Sequence, residues 1–213
     1  MTTHAKICGL SEPATLDAAV RGGASYVGFV FFSKSPRNVT GEQAAMLASR
    51  VADHVGRVGV FVDPDDAQVK ETAAAARLTA IQLHGDESPA RVAAIKALTG
   101  LDVWKAVPVR TAADIADARA YAGAADLLLF DAKPPKGADL PGGLGLRFDW
   151  RLLSGYRAPL RWGVSGGLDA ANVREAIGVT ATGLVDVSSG VEDRPGVKSM
   201  AKIEAFLKAV SKA

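Results

Sequence analysis

The chain has 213 residues, 48% of them apolar and 23% charged, with a formal charge of +2 and one cysteine. A chain of this size can bury a full core. Its scattered Lys and Arg exclude a basic nucleic-acid-binding arm, and its single thiol excludes a disulfide framework or a cysteine-cluster metal site. Residues 1–6 lack the apolar core of a signal peptide, and no apolar run is long enough to span a bilayer, so the expected chain is soluble, cytoplasmic and without membrane or nucleic-acid partners.

The first apolar run, 5–8, ends on Cys8 and reads as a strand; a helix is expected over 14–21, where Leu16 and Val20 share a face. The second strand is placed at 26–32 and a helix at 41–51, behind a capping box of Thr40 and Gln43. A strand at 58–62, a helix at 67–76 and a strand at 80–84 follow. Next comes a helix at 89–98, whose Ser88-Pro89 start pairs an N-cap with proline at the first helical position. The pattern continues with a strand at 103–107, a helix at 112–121 and a strand at 127–131. Residues 134–147, rich in Gly and Pro, read as a long loop, with a brief helix near 149–153. The series closes with strands at 161–165 and 183–187 and helices at 170–177 and 200–210.

These strands are nearly continuous in apolar character, as strands buried on both faces are. Eight strand–helix repeats predict an α/β fold, a single-domain (β/α)8 TIM barrel over residues 1–213. A doubly wound open sheet is disfavoured because no Gly-x-Gly-x-x-Gly turn follows the first strand.

In such a barrel the site lies at the carboxyl ends of the strands. Polar residues gather there: Cys8; Ser33, Ser35 and Arg37; Asp63; His84, Asp86 and Glu87; Asp131 and Lys133. Gly166 and Gly167 after the seventh strand, with Ser188, Ser189 and Gly190 after the eighth, predict a phosphate site, because glycine lets backbone amides approach an anion. Turn chemistry is their ordinary alternative.

Cys8 and Asp131 form an unlike pair suited to acid–base work, although an isolated cysteine is ordinarily packing. A thiol acts as base only as thiolate, which needs a nearby cation; Lys6 is set aside as too near in sequence, and no cation is assigned. A carboxylic acid that donates a proton near neutrality needs burial, and Asp131 follows four apolar residues. Arg37 is a candidate for gripping a carboxylate through two parallel hydrogen bonds. His84 ranks below Cys8 and Asp131 as an acid or base, and Asp186 is divided between contact with a substrate hydroxyl and a structural role. The three histidines show no ligand spacing, so no metal is expected.

At these residues the chain closely resembles the phosphoribosylanthranilate isomerase family. The resemblance rests on Lys6-Ile7-Cys8-Gly9, Ser35-Pro36-Arg37, Gln82-Leu83-His84-Gly85-Asp86-Glu87, Phe130-Asp131, Gly166-Gly167-Leu168 and Asp186-Val187-Ser188-Ser189-Gly190-Val191-Glu192. It implies a cofactor-free Amadori rearrangement of N-(5-phosphoribosyl)anthranilate in tryptophan biosynthesis. By resemblance Cys8 is the general base and Asp131 the general acid, Arg37 anchors the anthranilate carboxylate, and the two Gly/Ser loops hold the phosphate. His84 and Asp186 are expected to bind substrate, with their individual roles open. The chain departs from the family's Gly-Gly-Thr-Gly at Leu144 and has Ser165 and Ser199 where alanine and aspartate are usual; Ser199 keeps the ability to act as an N-cap.

Three other functions were weighed. A sister isomerase of histidine biosynthesis resembles a barrel with two catalytic aspartates, which Cys8 contradicts. A non-catalytic phosphate-binding barrel would tolerate loss of Cys8 and Asp131. A redox thiol would need a resolving partner. The expected partner is a small phosphorylated molecule, and the oligomeric state is left open with a monomer slightly favoured.

Overall fold

Runs of Val, Ile, Leu and Phe too short for helices form eight parallel strands, and the intervening Ala-rich segments cover them. The computed structural model describes residues 3–157 and 160–213; Met1 and Thr2, part of the N-terminal stretch read above, lie outside them. In chain order the elements are β1 (His4–Cys8), α1 (Pro13–Arg21), β2 (Tyr26–Phe31), α2 (Gly41–Ala48), β3 (Gly56–Phe61), α3 (Asp66–Ala75), β4 (Ala80–Leu83) and α4 (Pro89–Thr99). They continue as β5 (Asp102–Val109), α5 (Ala112–Asp117), β6 (Leu127–Ala132), β7 (Arg161–Val164), α6 (Val173–Thr180) and β8 (Leu184–Val187). A small antiparallel pair, β9 (Glu192–Arg194) and β10 (Val197–Lys198), precedes α7 (Met200–Val210).

Strands β1 to β8 close into a barrel. β1 pairs with β2 through Cys8 opposite Gly28, and with β8 through Lys6 opposite Asp186. The two-residue period of a strand then sorts the side chains. Ile7, Val27, Phe29, Ile81, Leu83, Leu128, Phe130 and Val185 join the large core shared with the helices. Residues of the other parity, among them Val58, Ala80, Trp104, Leu127, Leu129 and Leu184, fill the barrel interior. Above that layer the interior turns polar toward the carboxyl ends.

The sixth connection departs from the repeat as its Gly/Pro content predicts. Between β6 and β7 the described regular structure is one 3₁₀ turn, Trp150–Leu153. Several boundaries shift for identifiable reasons. α6 starts at Val173 rather than at 170, because the Asp169 carboxylate accepts the Ala171 and Asn172 amides (2.8 and 3.0 Å) and holds them in a turn. The helix expected over 112–121 tightens into a 3₁₀ segment, Ala118–Tyr121. α2 ends at Ala48, where Arg50 and Val51 bond three residues back. Ser199 occupies the N-cap position of α7, but its side chain accepts no helix amide.

The capping box does form: Thr40 Oγ1 accepts the Gln43 amide at 3.1 Å, and Gln43 Oε1 accepts the Thr40 amide at 2.9 Å. Thr40→Ala should therefore cost about 1 kcal/mol in urea unfolding, the usual worth of an N-cap, with turnover unchanged.

Candidate active site

The interior-facing parity at the carboxyl ends brings most of the expected residues into one cleft open to solvent. Cys8, Arg37, His84, Asp131, Gly166, Gly167, Asp186, Ser188 and Ser189 all line it.

Asp131 lies inside β6 and is buried. Its Oδ1 accepts the Ala132 amide at 2.8 Å, and its Oδ2 stands 3.1 Å from His84 Nε2. The backbone crowds the carboxyl from two sides. A Cβ on Gly142 would sit 2.8 Å from Asp131 Oδ2 and 2.6 Å from His84 Cε1, and one on Gly166 would sit 2.7 Å from Oδ1. Glycine is required at both places because no side chain fits. His84 itself is set by a buried ion pair behind it. Glu87 accepts the Gly85 and Asp63 amides and meets Lys105 Nζ at 3.0 Å, while Lys105 also donates to the Gly85 carbonyl at 2.7 Å.

Cys8 is buried at the end of β1. The cation that sequence reasoning could not assign is Lys6, the residue set aside as too close. Two residues apart on a strand means the same face, so the Lys6 and Cys8 side chains both turn inward beside Gly28, where the Lys6 charge acts on the thiol. Lys6 is fully buried and its Nζ lies 2.9 Å from Asp186 Oδ1. Burial opposes the ammonium, yet Asp186 and Cys8 together hold its pKa above the ordinary lysine value. Burial pushes the Cys8 thiol above its ordinary value; Lys6 and, farther off, Lys198 pull it down, while Asp186 adds to the rise. The floor beneath this pair is Gly28, where a Cβ would come within 3.1 Å of Cys8 Sγ and 3.2 Å of Lys6 Cε.

Arg37 is not a solvated loop residue: it is 5% exposed. Its Nε and Nη2 grip Glu192 at 2.7 and 2.8 Å, and Nη2 also donates to the Gly143 carbonyl at 3.0 Å. The two-bond face of the guanidinium is thus occupied, which leaves Nη1 for a further anion. The same Glu192 takes Lys198 Nζ at 2.6 Å, and Lys198 in turn donates to Ser188 O at 2.9 Å and Ser188 Oγ at 3.2 Å. Burial lowers the Lys198 pKa, with Glu192 working against that fall. Glu192 falls below the ordinary value: burial would raise it, but its bonds to Arg37 and Lys198 outweigh burial. Glu192 and Lys198 were assigned no role from sequence, and no local pattern marks them.

After β7, Gly166 and Gly167 adopt left-handed φ angles of 84° and 62°. Among the described residues their amides have no backbone acceptor, as an anion-binding loop requires. Gly190 packs so tightly on the Leu168 carbonyl that no Cβ fits, which locks the loops after β7 and β8 together. Asp186 is bound into the fold by Lys6, with Ser165 Oγ 3.4 Å from its other oxygen. Among the described residues no three His, Cys, Asp or Glu side chains gather as a metal site.

The family model described as N-(5'phosphoribosyl)anthranilate (PRA) isomerase matches residues 5–209. The N-(5'-phosphoribosyl)anthranilate isomerase of Zymomonas mobilis subsp. mobilis is 52% identical over 211 residues, 99% of each chain. Phosphoribosyl anthranilate isomerase from Thermotoga maritima superimposes with a TM-score of 0.90 at 36% identity, covering all of both chains. A structure of the same enzyme type in complex with reduced 1-(o-carboxyphenylamino)-1-deoxyribulose 5-phosphate gives 0.87 at 34% identity, again over all of both chains.

Because Cys8 is the only thiol, its ionisation can be followed directly by the ultraviolet absorbance of thiolate. The midpoint is expected above the ordinary thiol range, and Lys6→Met should raise it further by removing the nearest cation. The same substitution should cost about 3–5 kcal/mol in unfolding by stranding a buried Asp186. A midpoint below the ordinary range would contradict the dominance of burial.

Proposed function

We propose a mechanism from the premise that the chain belongs to the N-(5'-phosphoribosyl)anthranilate isomerase family. The protein is thus an isomerase of tryptophan biosynthesis, which converts N-(5'-phosphoribosyl)anthranilate into 1-(2-carboxyphenylamino)-1-deoxy-D-ribulose 5-phosphate. One observation carries the division of labour: a single cleft has a thiol and a carboxyl on β1 and β6, together with a buried guanidinium and the glycine and serine loops.

In this reading the phosphate sits on the amides of Gly166 and Gly167 and on the Ser188-Ser189-Gly190 turn. The anthranilate carboxylate meets Nη1 of Arg37, whose other nitrogens are held by Glu192. Anchoring both ends leaves the ribosyl carbons over the acid and the base, so the binding contacts supply orientation.

Asp131, protonated, gives its proton to the furanose ring oxygen. The C1–O bond breaks, and the nitrogen lone pair forms a Schiff base. The resulting Asp131 carboxylate is held by the Ala132 amide and His84 Nε2. Cys8 thiolate then takes the C2 proton, and the C–H electron pair becomes the C1=C2 bond of an enolamine as the iminium is neutralised. Loss of the C2 hydroxyl proton and protonation at C1 complete the Amadori rearrangement. Lys6 lies against the sulfur and favours its charged form during the transfer. A thiolate whose pKa is high is also a strong base, so burial that reduces its population increases its reactivity toward a carbon acid.

The reading includes a cytoplasmic protein whose oligomeric state is left open, with a monomer slightly favoured. Among the described residues no helix is long and apolar enough to cross a membrane. Exposed large apolar side chains are Met46, Met200 and the pair Leu144 and Leu146, on three separate elements; such scattered residues are usual on a monomer's surface.

Cys8→Ala and Asp131→Asn should each lower turnover by about a hundredfold or more, and turnover of the unaltered enzyme should rise with pH as the thiolate forms. Arg37→Ala should raise KM more than it lowers kcat. Expression of the chain should restore growth to a tryptophan auxotroph lacking this isomerase, and the Cys8→Ala variant should not; failure of both would overturn the reading.

A further inference from the structure

Gln82 has no part in the scheme above, yet its position is unusual for an amide. It sits in the middle of β4, 1% exposed. Its neighbours Ile81 and Leu83 belong to the outer core. By strand parity Gln82 therefore turns into the barrel, as His84 does two residues later. It lines the same cleft as Cys8, His84 and Asp131. Its Oε1 is buried and has no hydrogen-bond partner among the described residues. Leaving such an acceptor unpaired costs about 1–3 kcal/mol, and buried polar groups in native proteins are rarely left so. Trp104 Nε1, Trp150 Nε1 and Tyr156 OH are also unpaired, but none of them lines the cleft.

We infer that Gln82 is a substrate-contacting residue whose Oε1 accepts a hydrogen bond from a ribosyl hydroxyl. The inference rests on the isomerase reading, and elimination identifies the group. An amide oxygen only accepts, so it needs a donor from the substrate. The ionised carboxylate and phosphate have no hydrogen to offer and have cations or free amides of their own. The anilino nitrogen offers one hydrogen but is a poor acceptor for the amide N–H. A hydroxyl both donates and accepts, as the amide does, and the diol of the sugar lies between the two anchored ends. Asp186 does not fill this role alone, because Lys6 and Ser165 already take its oxygens. A neutral amide here also recognises a hydroxyl without adding charge beside Cys8.

The test compares wild type and Gln82→Leu in turnover, thermal unfolding, and calorimetric binding of the reduced product analogue. The variant should lower kcat/KM about tenfold and raise the analogue's Kd by a similar factor, the scale of one lost hydrogen bond. Tm should stay level or rise, since an unpaired buried amide is exchanged for an apolar side chain. Competitive inhibition by inorganic phosphate and the midpoint of the pH profile should be unchanged. Gln82→Met, nearer in shape, replaces the leucine variant if that one misfolds. The competing partner for the amide is Trp104, its neighbour in the strand register. If Gln82 serves Trp104, Tm falls while kcat/KM and Kd hold, which overturns the inference. Wild-type turnover with an equally active variant overturns this inference alone; no wild-type turnover overturns the isomerase reading and this inference with it.

Discussion

The buried ion pair of Lys6 and Asp186 ties the first barrel strand to the last, inside the barrel, and the site is arranged around it. The two residues are partners in the β1–β8 register, so closing the barrel is what brings the charges together. Neither ion is exposed to bulk water, and each would be costly to bury alone. The pair therefore contributes less to stability than to placement: it keeps an ammonium group beside the only thiol. Replacing both by apolar residues of similar volume could leave the barrel as stable but would remove the cation beside Cys8.

A second buried charge, Glu192, links Arg37 to the turn after β8. It holds Arg37 with two bonds and Lys198 with one, and Lys198 passes the constraint to Ser188. The guanidinium and the serine turn that line the cleft are thereby mounted on the same side chain. The cost of burying Glu192 is met by two cations and the Gly196 amide at 3.3 Å. The glycines do the complementary work of admitting the backbone: Gly142 and Gly166 let two loops close over Asp131 where any side chain would collide.

The expected strand pattern is present because each β-branched or aromatic run is buried on both faces and bounded by turn residues, and that is a local property. The site was legible for the same reason: Cys8, Asp131, His84 and the two glycine-bearing turns stand at strand ends, and a barrel gathers its strand ends. The two-residue period of a strand also puts Lys6 on the face of Cys8, although closeness in sequence alone does not show that the ammonium and the thiol meet. Helix ends were less legible. The start of α6 depends on where the Asp169 carboxylate turns, and the splitting of the helix after β5 depends on packing.

The sequence by itself determined the fold class, the order of strands and helices and the residues able to do acid–base and anion chemistry, because periodicity and residue type are local. The tertiary structure alone decided which charges meet. Arg37 and Glu192 are separated by 155 positions and Lys6 and Asp186 by 180, so their pairing depends on barrel closure and register. It also decided that the Arg37 fork is filled from within, that burial raises the Cys8 thiol while Lys6 opposes it, and that Gln82 lines the cleft with its buried oxygen unpartnered. Each of these depends on burial and on the direction of a side chain in space, and no local pattern records either.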